Sequence, residues 1–307
     1  ACTNFEFPAQ IVGQVRPNPK LRQDLHYPRG SKNMIKLFQT RPDFHVAVIE
    51  SILGLTWFVS FHCLFLEIVS LKFGRGFSLA RSQLRDIATK LVSTWFAITT
   101  CFAGWLVFRQ CDTDLIREQK SLVHHYVFFA LPYFIYDIFA MYLVYRESSR
   151  ERNLENSPLL FLREKFLLVV HHLMISTVGG PIFVFLRGGL GDCLLSLAFM
   201  MEISTPFVSL RVILHHLGMK TSKWYILNGL AMVLSFLFGR ILLIPYMYLA
   251  YANQLGVSTW QVLNIRVPKF CTVCMIVVYL PQIYWFGLMI KGSWRALGLS
   301  RVSIKKN

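Results

Sequence analysis

A chain of 307 residues with 32 Lys and Arg against 16 Asp and Glu has a formal charge of +16, yet only 16% of its residues are charged and 54% are hydrophobic. Soluble domains hold about 25% charged residues; together with a mean hydropathy of +0.47, this excludes intrinsic disorder, a collagen-like chain and a disulfide framework. The apolar residues fall in long runs, which points to an integral membrane protein.

In chain order, residues 1–45 contain Pro8, Pro17, Pro19, Pro28 and Pro42, are basic, and show little periodicity. They read as a mobile tail. The run 46–71 is too long for a cleaved signal peptide and reads as a first transmembrane helix, a signal anchor. About 20 apolar residues at 1.5 Å each cross a hydrocarbon core, and further spans are expected over 87–108, 122–145, 166–186, 193–214, 225–251 and 268–290. Residues 293–307 form a basic tail. The expected fold is an all-α polytopic helix bundle of about seven transmembrane helices. Lys and Arg concentrate on the even-numbered connections and the C-terminus, for example Arg81, Arg85, Arg150, Arg152, Lys305 and Lys306. The positive-inside rule then puts the C-terminus in the cytosol and the N-terminus outside it. The charge is spread over several loops without a recognition motif, so it suits anionic lipid headgroups and not nucleic acid. Cys271 and Cys274 make a C-x-x-C within an apolar run, with no second pair to complete a zinc site. These cysteines read as small packed hydrophobes.

Ionisable residues inside spans carry the functional signal. Each costs at least about 2.5–3.5 kcal/mol at mid-bilayer. Four successive spans place such groups near their middles: Asp137, then His171 and His172, then Glu202, then Arg240. One polar cavity inside the bundle accounts for all of them, with Arg240 paired to Glu202 or Asp137; a purely architectural ion pair is the alternative. Neighbouring helical residues point about 100° apart, so one imidazole of the His pair can face a cavity while the other meets a neighbouring helix. Imidazole serves as a general base or an acyl-accepting nucleophile, although two packed histidines also fit. Metal binding is disfavoured, because the pair lacks the i, i+4 spacing that sets two ligands on one face. In Glu202-Ile-Ser-Thr-Pro206, Pro206 breaks the helix beside the acid, and Ser204 and Thr205 can satisfy the freed carbonyls. Gly179-Gly180-Pro181 interrupts the fourth span just after the His pair. His62, His124, His125, His215 and His216 read as buried or interfacial residues.

The segments Leu131-Pro-Tyr-Phe-Ile-Tyr-Asp-Ile-Phe-Ala-Met-Tyr-Leu143, His171-His172, Leu190-Gly-Asp192, Glu202-Ile-Ser-Thr-Pro-Phe-Val-Ser-Leu-Arg211, Arg240-Ile-Leu-Leu-Ile-Pro-Tyr-Met-Tyr248 and Pro281-Gln-Ile-Tyr-Trp-Phe286 together resemble the TLC-domain family, nearest its type 3 branch, over residues 83–292. The resemblance implies a six-helix core around a polar lipid cavity, here preceded by one further span. It also implies an endoplasmic reticulum location. The family's ceramide synthase branch joins the acyl group of acyl-CoA to a sphingoid base through a His pair. By that likeness His171 and His172 are the candidate catalytic pair. This chain departs from that branch: Met200-Met201-Glu202-Ile203-Ser204 stands where ceramide synthases carry an H-D-x-x-D-type stretch. Phe96 and Lys90 stand where the close branch usually has His and Arg.

Two readings follow. The first is a membrane lipid-handling protein of lipid homeostasis that binds or modulates a sphingolipid or phospholipid in its cavity. The second is an N-acyltransferase using acyl-CoA and a sphingoid base, with His171 or His172 as base or nucleophile and Asp137 or Glu202 orienting the imidazole. In either, Arg240, Ser204 and Thr205 are the candidate lipid-binding residues, and neither a metal nor a resident cofactor is expected. A seven-span receptor or transporter fits less well, since neither a receptor triplet nor an inverted repeat is visible.

Overall fold

The computed structural model describes residues 44–74, 79–112, 114–182, 190–267 and 269–304. The tail expected over 1–45 lies almost wholly outside them. The described residues form helices and no strand, as apolar chain inside a bilayer requires, because only helices or closed barrels satisfy their own backbone there.

The first helix, α1 (Phe44–Phe73), turns most of its apolar surface outward, including Ile49, Ile52, Leu53 and Trp57. It docks through a close approach: a Cβ on Gly54 would stand 2.1 Å from the Phe129 carbonyl oxygen. Ser51 donates to the Phe128 carbonyl at 3.2 Å, and Glu50 meets His125 at 2.6 Å. Small residues allow this backbone proximity between membrane helices. The next helix, α2 (Arg81–Phe108), is the central post, with Ala88, Thr89, Val92 and Ala97 fully buried. The third span is α3 (Ser121–Ala130) followed by α4 (Pro132–Glu151), joined where Pro132 occupies the first turn of α4. Phe96 of α2 stacks on Tyr133 of α4 at 3.7 Å, and Phe58 of α1 packs against both rings. Phe96 is thus an aromatic cornerstone of the core.

The fourth span begins earlier and is less regular than 166–186 suggests, and its expected end lies outside the described residues. Helix α5 (Pro158–Met174) starts on a Ser157 cap whose Oγ accepts from Leu159 N–H. Its backbone leaves helical geometry at Lys165 (φ −108°, ψ 15°). A π-helical turn, Ile175–Gly179, then continues it toward Gly180 and Pro181. Among the described residues, six helical stretches are long and apolar enough to cross a membrane, and α5, with Arg163, Glu164 and Lys165, is not among them. The fifth span combines α6 (Asp192–Phe199), a 3₁₀ segment (Met200–Ser204) and α7 (Thr205–His216). The sixth joins α8 (Lys223–Phe236) through a π segment (Leu237–Leu242) to α9 (Leu243–Leu255). A single turn, α10 (Thr259–Gln261), leads to the last helix, α11 (Lys269–Ile304).

Polar clasps close both ends of the bundle. At one end, Arg85 pairs with Glu147 at 2.8 Å, and Asp86 meets His216 at 2.7 Å. Glu151 accepts from Ser82 N–H at 2.9 Å and from its hydroxyl, a favourable place for an anion at the start of α2. At the other end, Cys111 and Cys193 form a disulfide. Asp192, fully buried, accepts from Lys120 N–H at 2.6 Å and meets His124 at 3.3 Å. Buried Gln254 accepts from Leu115 N–H and donates to Asp114, both at 3.0 Å. Three histidines thus serve as interhelical fasteners: His124, His125 and His216. His62, also buried, bonds Tyr136 OH at 2.8 Å through Nδ1.

Candidate functional site

The candidate residues gather where helices lose regularity. Pro206 has no N–H for the carbonyl four residues back, and the chain tightens into the 3₁₀ segment over Met200–Ser204, which holds Glu202. Arg240 sits in the π segment Leu237–Leu242. Pro245 likewise leaves the Ile241 carbonyl without a helical donor, and the Tyr279 hydroxyl of α11 donates to it at 2.9 Å. Gly239 lets the two irregular segments meet, since a Cβ there would stand 2.5 Å from Ile203 Cγ2.

Every nitrogen of the Arg240 guanidinium is engaged by the protein. Nε donates to the Met201 carbonyl and Ser204 Oγ, both at 3.0 Å. Nη1 donates to Gln282 Oε1 at 3.2 Å, and Nη2 donates to Glu202 at 3.1 Å and to Thr205 Oγ1 at 2.9 Å. The Thr205 hydroxyl in turn donates to Glu202 at 2.6 Å. The ion pair therefore forms with Glu202, one of the two partners the sequence offers, and Ser204 and Thr205 bond the guanidinium.

Asp137 and the histidines form a second cluster. Asp137 Oδ2 lies 3.4 Å from His172 Nδ1, both residues being buried. Asp137 Oδ1 and His172 Nδ1 make no hydrogen bond. Phe134 packs edge-on against His172 at 5.4 Å. His171 points elsewhere, toward the Trp285 ring of α11, perpendicular at 5.2 Å. The pair is divided as helical geometry expects: one imidazole by the carboxylate, the other against a neighbouring helix. Glu202 is in contact with Arg240 and Thr205, and the carboxylate at the imidazole is Asp137.

Helix α11 links the clusters. Gln282 and Trp285 are three residues apart, hence on one face; Gln282 reaches Arg240 and Trp285 reaches His171. Neither was singled out as a functional residue from the sequence. The available signal was Gln282 itself, an amide inside an apolar run, and it is 1% exposed.

Residues 86–291 match the family model described as the TLC domain, close to the 83–292 expected. The chain belongs to the TLC-domain family. It is similar to TLC domain-containing protein 4-A of Xenopus laevis, 30% identical over 131 residues, which is 42% of this chain and 50% of the relative. It is similarly 30% identical to TLC domain-containing protein 4 of Xenopus tropicalis over 131 residues, 42% of this chain and 49% of that relative. The match thus spans about half the length of these curated relatives. No solved structure matches the chain. As a TLC-domain protein with six helical stretches long and apolar enough to cross a membrane among its described residues, it is a multi-pass integral membrane protein of a generally lipid-related family.

Removing one member of this partly buried ion pair strands the other. Glu202→Gln or Arg240→Met alone is expected to destabilise the TLC core by about 3 kcal/mol, and the two together by less than the sum. Thermal unfolding of the purified variants in detergent measures this; strictly additive losses would show that the pair contributes no coupling.

Proposed function

We propose that the TLC core binds a membrane lipid, a sphingolipid or a phospholipid, at the cluster of Asp137, His171 and His172, and serves lipid homeostasis in the endoplasmic reticulum. The observation that carries this reading is the contact of buried Asp137 with His172, in which Asp137 Oδ1 and His172 Nδ1 lack hydrogen-bond partners. Buried polar atoms are normally satisfied. An amide, hydroxyl or amine of a lipid supplies what these two groups miss, and the apolar surroundings take its chains. Arg240, with all its nitrogens engaged, neutralises Glu202 and braces the wall instead of holding a headgroup.

The same contact favours N-acyl transfer as the second reading. Asp137 is placed to hold the His172 imidazole and stabilise imidazolium, while the imidazole takes the proton of a sphingoid amine attacking the thioester of acyl-CoA and the thiolate departs. Catalytic hydrogen bonds are often long before substrate binds. Against it, Glu202 is committed to Arg240 and so does not replace the missing aspartates. Binding therefore leads.

Purified protein supplied with labelled acyl-CoA and a sphingoid base decides between them. The binding reading expects lipid to co-purify with the wild type, to be lost from the His171→Ala/His172→Ala variant, and no N-acyl product to form. Histidine-dependent product would establish the second reading. Absence of both lipid and product would overturn both.

Disulfides persist in oxidising compartments, so the end bearing Cys111–Cys193 is assigned to the lumen. The C-terminus of α11 then lies in the cytosol, in agreement with the Lys and Arg bias. An epitope tag after Asn307 is expected to be digested by protease added outside sealed microsomes; a protected tag would reverse the orientation.

A further inference from the structure

A groove of about 510 Å³ runs along the seam between α5 and α11. Phe166, Leu167, Leu280 and Tyr284 line it together with the charged Arg163 and Glu164. These two charges sit in the second turn of α5, just before the backbone leaves helical geometry at Lys165. Consecutive helical residues diverge by about 100°, and Arg163 and Glu164 form no ion pair with each other. Among the described residues, neither has a hydrogen-bond or ion-pair partner, and both are exposed.

The groove lies one helical turn from the candidate site. Leu167 and His171 are four residues apart on α5, and Pro281 and Trp285 are four apart on α11, so each pair shares a helix face. The ring contact between His171 and Trp285 closes the seam one turn beyond the groove.

We propose that this seam is the docking site for a zwitterionic phospholipid whose head carries a phosphate and a primary ammonium, its chain lying along the groove toward His171. The inference rests on the lipid-binding reading above and names the lipid class. A guanidinium recognises phosphate through directed, charge-assisted hydrogen bonds, which suits Arg163. The Glu164 carboxylate accepts from a primary ammonium. An anionic head without an amine is repelled by Glu164; a choline head has no N–H to donate to it. A sphingoid base brings an ammonium alone and leaves Arg163 unanswered. A second surface groove, about 460 Å³ between α7 and α8, is lined by Phe207, Leu210, Leu214, Trp224 and their neighbours without a charged residue. It provides an internal control, since nothing in its lining selects a headgroup.

The test is native mass spectrometry of the full chain in detergent, given an equimolar mixture of phosphatidylethanolamine, phosphatidylcholine and phosphatidylglycerol with identical chains. Wild type is expected to retain the ethanolamine lipid over the choline lipid by about tenfold, the size of one charge-assisted hydrogen bond. Glu164→Gln is expected to lose that preference, and Arg163→Gln to retain less of both. Both side chains are exposed and unpartnered, so both variants should fold as wild type does. Asp137→Asn separates this claim from the polar core, because Asp137 touches His172 and not the groove. A preference that survives Asp137→Asn but disappears in Glu164→Gln supports the seam even if the core fails its own assay. Equal retention of the three lipids by wild type, a preference for phosphatidylglycerol, or an unchanged profile in Glu164→Gln overturns the proposal.

Discussion

A guanidinium within an apolar helix bundle has to be answered at every nitrogen, and much of the irregular geometry in this protein follows from that requirement. Arg240 draws on the fifth span for Met201, Glu202, Ser204 and Thr205, and on the last helix for Gln282. A regular α-helix exposes few backbone acceptors, because its carbonyls are occupied four residues on. The 3₁₀ segment at Met200–Ser204 and the π segment at Leu237–Leu242 turn a carbonyl, a hydroxyl and a carboxylate toward one cation. Pro206 and Pro245 make these departures cheap by removing helical donors at those points. Tyr279 then supplies the donor that the Ile241 carbonyl lacks.

Once Arg240 and Glu202 neutralise each other, the chemistry open to a ligand shifts to Asp137 and the histidines. Asp137 and His172 meet across α4 and α5 with acceptor and ring nitrogen still unanswered, whereas His171 turns to Trp285. The bundle thus separates two tasks that share one depth: a satisfied ion pair that fixes α11 against the core, and an unsatisfied carboxylate–imidazole contact beside it. Because Gln282 and Trp285 lie on one face of α11, a change in the seating of this helix is felt by both. The groove on its flank lies one turn from His171.

Much of the architecture was legible in the sequence because membrane spans are written in length and hydropathy, and the family motif blocks fall within residues 86–291. The Arg240–Glu202 pairing was also legible as one of two options, since charges in adjacent spans need partners. Other features depend on how helices rotate about their axes, which no run of apolar residues specifies. The choice of Asp137 for His172, the facing of His171 to Trp285 and the role of Gln282 are of this kind. The fourth span read as 166–186 from hydropathy alone, yet its helix starts at Pro158, leaves helical geometry at Lys165 and passes into a π turn at Ile175–Gly179. The Cys111–Cys193 disulfide was hidden because its members are 82 residues apart and Cys193 opens an apolar run, where a packed thiol is the ordinary reading.

On the proposed reading, lipid sits against the Asp137–His172 contact and the α5–α11 seam. Photo-crosslinking with a phospholipid carrying a diazirine on its acyl chain, followed by peptide mapping, tests it most directly. Label is predicted on the α5 peptide containing His171 and the α11 peptide containing Trp285, and it should fall when unlabelled lipid is added in excess. Label spread over the outward faces of α1 and α8 in proportion to their exposure, and indifferent to competitor, would contradict it.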